Sequence, residues 1–133
     1  MQVRNLDYRE IFLALADPLR VRALRLLVTT GDEACLCEFV DTLQEPEYKL
    51  SRHLKALKQS GLTTSEKDGR WIYHRLAKRG PFLSRLFSAV MEIPDDGTFA
   101  EDLKRFRGRK KLRKNGRCRT GIQTQKLTGG RKA

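Results

Sequence analysis

Residues 47–76 read EYKLSRHLKALKQSGLTTSEKDGRWIYHRL, and the change of period at Gly61 decides the architecture. From Glu47 to Ser60, Leu50, Leu54 and Leu57 recur at helical spacing and leave Tyr48, Lys49, Ser51, Arg52 and Lys55 for solvent. This predicts an amphipathic helix that Gly61 ends. Beyond the glycine the period becomes two, with Trp71, Tyr73 and Arg75 alternating against Ile72, His74 and Leu76. Leu62–Lys67 and Arg70–Leu76 therefore read as strands, with Asp68-Gly69 between them as a two-residue hairpin signal.

Immediately upstream, Cys35 to Leu43 reads as a short helix burying Leu36, Phe39, Val40 and Leu43, cut by Gln44-Glu45-Pro46 because a residue before proline is pushed out of helical geometry. Two short helices joined by a tight turn and followed by a basic hairpin predict a mainly α chain with a small β-hairpin, a winged helix-turn-helix. Further out, Asp17-Pro18 is suited to cap and open a helix that runs to Gly31, after a shorter helix from Tyr8 to Ala16. Downstream, Gly80-Pro81 opens a helix carrying Phe82, Leu83, Leu86, Phe87 and Val90. That stripe is wider than a small domain readily covers, so with the Ile11 helix it is expected to form a dimer interface, the alternative being that it folds back on its own core.

Charge is distributed unevenly. The formal charge is +12, yet the 13 Lys and Arg from Leu103 to Ala133, with no acid among them, account for all of the surplus. Before Leu103, Met1–Glu47 holds 5 basic and 9 acidic residues and Tyr48–Val90 holds 10 basic and 2 acidic, so the basic face coincides with the helix and hairpin just described. The expected division is a winged-helix DNA-binding and dimerisation domain over 1–97, then a short helix from Thr98 to Phe106 and a basic, flexible tail over 98–133 whose apolar residues are too few to fold alone. The tail is expected to add salt-dependent, nonspecific DNA affinity.

Some classes are set aside. No apolar run approaches the ~20 residues of a membrane helix, and the opening residues lack the apolar stretch of a signal peptide, so a cytoplasmic location is expected. No glycine-rich phosphate loop and no Ser, His and acid set suggests catalysis. Three cysteines in a reducing compartment point to metal or redox chemistry rather than a disulfide framework.

Four motifs in order, Ala34-Cys35-Leu36-Cys37-Glu38-Phe39, Lys49-Leu50-Ser51-Arg52-His53-Leu54, Ser60-Gly61-Leu62 and Asp68-Gly69-Arg70-Trp71-Ile72-Tyr73-His74-Arg75-Leu76, closely resemble the arsenical-resistance repressor (ArsR/SmtB) family over roughly Tyr8–Leu86. The resemblance implies a homodimer that binds a palindromic operator in double-stranded DNA and leaves it when its effector binds. The N-terminal part of the second helix of such a motif enters the major groove, which puts Tyr48, Lys49, Ser51 and Arg52 at bases and phosphates. Lys55 and the hairpin residues Lys67 and Arg70 are expected at phosphates.

Cys35-Leu36-Cys37 is similar to the family's Cys-Val-Cys box, which implies arsenite or antimonite as effector; soft thiolates suit such ions and two of them chelate. A helix N-terminus lowers a thiol's pKa, which would favour the thiolate. Positions i and i+2 lie ~200° apart on a regular helix, so ion binding is expected to melt the first turn around Cys35–Cys37 and misplace Lys49–Arg52. The family's third cysteine corresponds to Val40 here, which leaves the third ligand open between Cys118, swung in from the tail of either subunit with Arg117 and Arg119 favouring its thiolate, and a small thiol or water. Pro81–Ile93 has no His and only Glu92, unlike the zinc- and cobalt-sensing members. Two other readings stand beside this one: an oxidation-sensing repressor, burdened by the strained ring of a Cys-x-Cys disulfide, and a constitutive nucleic-acid-binding module acting through the tail.

Overall fold

The computed structural model describes residues 6–124. In chain order the elements are α1 (Tyr8–Ala14), α2 (Pro18–Thr30), β1 (Ala34–Cys35), α3 (Leu36–Leu43), α4 (Glu47–Ser60), β2 (Thr63–Asp68), β3 (Trp71–Leu76), α5 (Pro81–Met91) and α6 (Thr98–Lys110). The winged helix-turn-helix is there: α3 and α4 with their turn, then the β2–β3 hairpin. No helix among the described residues is long and apolar enough to cross a membrane.

Local signals set most boundaries. The Asp17 carboxylate accepts from the Leu19 and Arg20 amides at 2.8 and 3.2 Å, and Pro18 takes the position where an N–H would lack a partner. At Gly61 the chain leaves α4 with φ +91, a left-handed conformation that favours glycine. Ile11, Leu24, Leu27, Phe39, Val40, Leu43, Leu50, Leu57, Leu62 and Leu83 form one buried cluster that fixes α3 and α4 against α2. Each such side chain contributes about 1.5–3 kcal/mol of burial.

Three details differ from the sequence expectation. First, α3 begins at Leu36, and Cys35 is its extended N-cap, because Ala34–Cys35 pairs with β3 in antiparallel register (Ala34 opposite His74, Cys35 opposite Tyr73). The sheet thus has three strands in the order β1-β3-β2, and a two-residue strand carries no periodicity to read. Second, Asp68 pairs with Trp71, so the hairpin turn is Gly69-Arg70, with Gly69 at φ +63.

Third, the basic segment is not a free tail over its described length. Helix α6 packs on α2 and α3, with Phe106 fully buried in the main core and Leu103 against it. Asn115-Gly116, both at positive φ, form a tight turn closed by Lys114 and Arg117 backbone hydrogen bonds at 2.8 and 3.1 Å, and Ile122 packs back onto the domain. The segment needs few apolar residues because ion pairs hold it to the domain: Asp102 with Arg22, Arg109 with Asp41, Lys110 with Asp32, Arg113 with Glu38 and Arg117 with Asp68. The acidic surplus of the first 47 residues is largely the counter-surface for this segment. The expectation of a flexible tail over 125–133 lies outside the described residues.

Candidate functional site

Two surfaces carry chemistry, a thiol cluster and a basic face. Cys35, at the N-cap of α3, and Cys37, in its first turn, have their sulfurs 3.1 Å apart, and Cys118 brings a third sulfur to 3.4 Å from that of Cys37. All three ligand atoms lie within 4.8 Å of one another, and all three residues are buried. The first turn needs no melting. A regular helix would separate i and i+2, but the extended backbone of Cys35, φ −94 and ψ 168, swings its side chain onto that of Cys37.

The surroundings hold this geometry. The Cys35 amide donates to the Glu38 carboxylate at 3.1 Å, while the Arg113 guanidinium donates to both oxygens of that fully buried carboxylate at 2.7 and 2.9 Å. The Asp41 carboxylate accepts from Arg109 at 2.6 Å and from the Gln123 and Thr124 amides at 3.0 Å, closing residues 120–124 over the cluster. The Thr120 carbonyl accepts from Cys37 and Cys118 at 3.4 and 3.3 Å, and from Arg109 at 2.8 Å. The Cys118 amide donates to Tyr73 Oη at 2.6 Å. A cleft of about 270 Å³, lined by Leu36, Trp71, Ile72 and Ile122, opens onto Cys35 and Cys37.

The expected lowering of thiol pKa is not found at Cys35 or Cys118. Hydrogen bonding to the Cys37 thiol, then burial and the nearby Glu38 charge, push the Cys35 thiol up, and burial pushes Cys118 up. Arg117 and Arg119 direct their charge to Asp68, at 2.9 and 3.5 Å, rather than to the sulfur between them. Cys35 and Cys118 are thus pushed toward the neutral thiol, in a buried cluster that the cleft reaches at Cys35 and Cys37. Its chemistry suits a trivalent soft centre: three thiolates on such a centre make a neutral complex, whereas a divalent ion would bury a net negative charge. Arg109, which shares the Thr120 carbonyl with Cys37 and Cys118, is already paired with Asp41.

On the basic face, Tyr48, Ser51, Arg52 and Lys55 are exposed along α4, and the Arg52 guanidinium lies 5.8 Å over the Tyr48 ring. Lys49 is half-buried and bonded to Glu45 at 3.1 Å. Lys67 and Arg70 are exposed at the hairpin tip, with Arg70 5.1 Å over the Trp71 ring. His53 faces inward, its Nδ1 3.0 Å from an Arg20 nitrogen. Tyr73, Glu38, Asp41, Arg109 and Arg113 surround the sulfurs although no sequence motif marks them as their neighbours. The Asn115-Gly116 turn and the acidic Asp32–Asp41 stretch were the available signals.

A helix-turn-helix with a basic reading helix and wing, bearing a buried soft-ligand cluster at the base of its first helix, defines a winged-helix regulator. Residues 17–65, from α2 into the wing, match the family described as bacterial regulatory protein, arsR family. An uncharacterized HTH-type transcriptional regulator of Methanocaldococcus jannaschii is 38% identical over 65 residues, 49% of this chain and 72% of that protein. An arsenic resistance transcriptional regulator of Pseudomonas putida is 37% identical over 67 residues, 50% of this chain and 57% of the relative. The arsenical resistance operon repressor of Escherichia coli is 38% identical over 72 residues, 54% of this chain and 61% of the relative. The chain belongs to the arsR family of bacterial regulatory proteins. It spans somewhat over half the length of these two arsenic-resistance relatives.

Proposed function

We propose that the protein is a homodimeric repressor that holds operator DNA through α4 and the wing, and releases it on capturing arsenite or antimonite at Cys35, Cys37 and Cys118. The observation that carries this reading is the convergence of three buried sulfurs within 4.8 Å on the first helix of the reading motif. Capture is ligand exchange without redox change: three arsenic–oxygen bonds are replaced by three arsenic–sulfur bonds, and each thiol proton leaves in a released water. An oxidation switch is disfavoured because a Cys35–Cys37 disulfide would close a strained small ring.

Tyr48, Lys49, Ser51 and Arg52 are assigned to bases and phosphates of the major groove, and Lys55, Lys67 and Arg70 to phosphates. Lys49 must release Glu45 to take part. Exposed Tyr8, Phe12 and Leu13 on α1 and Phe82 and Met91 on α5 form an apolar face, tied together by an edge-to-face Phe12–Phe82 contact at 6.4 Å; this is the assigned dimer surface. Residues 6–97 make the reading and dimerisation unit, and 98–124 a strap that supplies the third ligand.

The test is fluorescence anisotropy of labelled upstream DNA with and without arsenite. Wild type should dissociate with arsenite, while Cys35→Ser/Cys37→Ser should bind DNA equally and ignore it. Equal dissociation of the double variant would remove the sensor assignment.

A further inference from the structure

The thiol cluster is built on the wing as much as on α3. Tyr73, in the middle of β3, is fully buried and belongs to the same small cluster as Cys35, Cys37 and Cys118. Cys35 is its ladder partner across β1 and β3, and its Oη accepts the Cys118 amide at 2.6 Å. One residue before Cys118, the Arg117 guanidinium lies 3.9 Å over the Tyr73 ring and donates at 2.9 Å to Asp68, the last residue of β2 before the Gly69-Arg70 tip. Arg119, one residue after, reaches the same carboxylate at 3.5 Å.

Resting on the proposed capture of arsenite by these thiols, we propose that its effect on DNA binding is transmitted through the wing, along Cys118–Arg117–Asp68 and Tyr73, rather than by unwinding α3. The three sulfurs are already close and the first turn of α3 is intact and capped, so binding need not rearrange α3. Cys118 is the ligand that lies outside α3. Bonding to a shared centre would tie it to Cys35 and Cys37, and any shift of Cys118 on bonding is carried to the hairpin by the attachments of residues 117–119. Lys67 and Arg70 flank Asp68 at the tip, so a displacement there acts where the wing would meet phosphate. A ligand shifts an equilibrium only by its differential affinity for the two states, and the coupling is reciprocal. DNA should therefore weaken arsenite binding by the factor by which arsenite weakens DNA binding.

Arg117 and Asp68 are positioning residues, and neither is placed at DNA or at a sulfur. The experiment compares wild type, Arg117→Gln, Asp68→Asn and the double variant in two readouts. Arsenite uptake is followed through Trp71, the single tryptophan and a neighbour of the cluster. Coupling is read as the ratio of DNA dissociation constants with and without saturating arsenite. Arsenite affinity should stay within a few-fold of wild type, whereas the ratio should fall at least threefold in each single variant, with the double variant no worse than the stronger single. Any direct effect of the Asp68 charge on DNA cancels in the ratio. Asp68→Asn reads the same link without altering the strap, should Arg117→Gln fail to fold. An unchanged ratio in variants that take up arsenite would overturn the wing route and leave the sensor intact. Absence of uptake by wild type would instead sink the sensor, and the route with it.

Discussion

Replacing Arg113 by leucine should be among the most damaging single changes to the strap. The Arg113 side chain is 9% exposed and its partner Glu38 0%, and the two form a bidentate pair at 2.7 and 2.9 Å. Arg113 also donates to the Glu33 carbonyl at 2.7 Å. Removing the cation leaves a buried carboxylate with only the Cys35 amide, and breaking a buried pair from one side costs about 3–5 kcal/mol. For a chain of this size that is a fall in Tm of roughly 10–20 °C. Neutralising the orphan should recover most of it: Glu38→Gln keeps an oxygen for the Cys35 amide, so Arg113→Leu/Glu38→Gln should return to within about 1–2 kcal/mol of wild type. Urea denaturation of wild type, both singles and the double closes the cycle. A loss under about 1 kcal/mol in Arg113→Leu, or a double variant no more stable than that single, would refute the argument that a neutralised buried charge holds residues 111–124 in place.

Four further outcomes are expected. Cys118→Ser should weaken arsenite binding at least tenfold, about 1.4 kcal/mol, while leaving DNA affinity without arsenite near wild type; titration of Trp71 emission checks the first and anisotropy the second. Arg52→Ala should lose about 1–3 kcal/mol of operator affinity if it reads a base edge, whereas Lys67→Ala should weaken all sequences alike and lower the salt slope by about one; binding measured across a salt series separates them. Leu13→Glu, at a position 68% exposed on α1, should shift sedimentation toward monomer and leave the Tm nearly unchanged, and an unaltered dimer would move the interface elsewhere. Burial pushes the His74 imidazole down from 6.5 to about 4, with a smaller contribution from Lys58. The unfolded chain therefore binds a proton that the folded chain refuses, so stability is complete above pH 6.5 and falls by up to about 3 kcal/mol as pH drops toward 4. His74→Gln should flatten that slope relative to wild type in denaturant titrations at pH 7, 5.5 and 4.5.

The fold of residues 17–76 was legible because its signals are local. The leucine spacing of α4, the proline before it, the glycine after it and the alternation in the wing each act within one or two turns of chain, and the structure follows them closely. Misreadings fell where a distant strand competes with a local preference. Cys35 reads as helical until β3 claims it across the sheet, and that one-residue shift brings two sulfurs together that a helix would separate. The strap was misjudged for the same reason: its composition is that of a free segment, and its partners lie some 50 to 85 positions away, as with Arg117 and Asp68, 49 apart, or Arg117 and Glu33, 84 apart.

The sequence alone determined the reading helix, the hairpin, the paired thiols and the basic face, since periodicity, capping and turn chemistry are written in neighbouring residues. Tertiary structure decided that a third thiol joins the first two, that Cys35 and Cys118 are pushed toward the neutral thiol, and that the cluster is attached to the wing. Those properties depend on burial and on charges brought together from distant parts of the chain, Asp41 to Arg109 and Glu38 to Arg113, and no local pattern encodes which of many basic residues meets which acid.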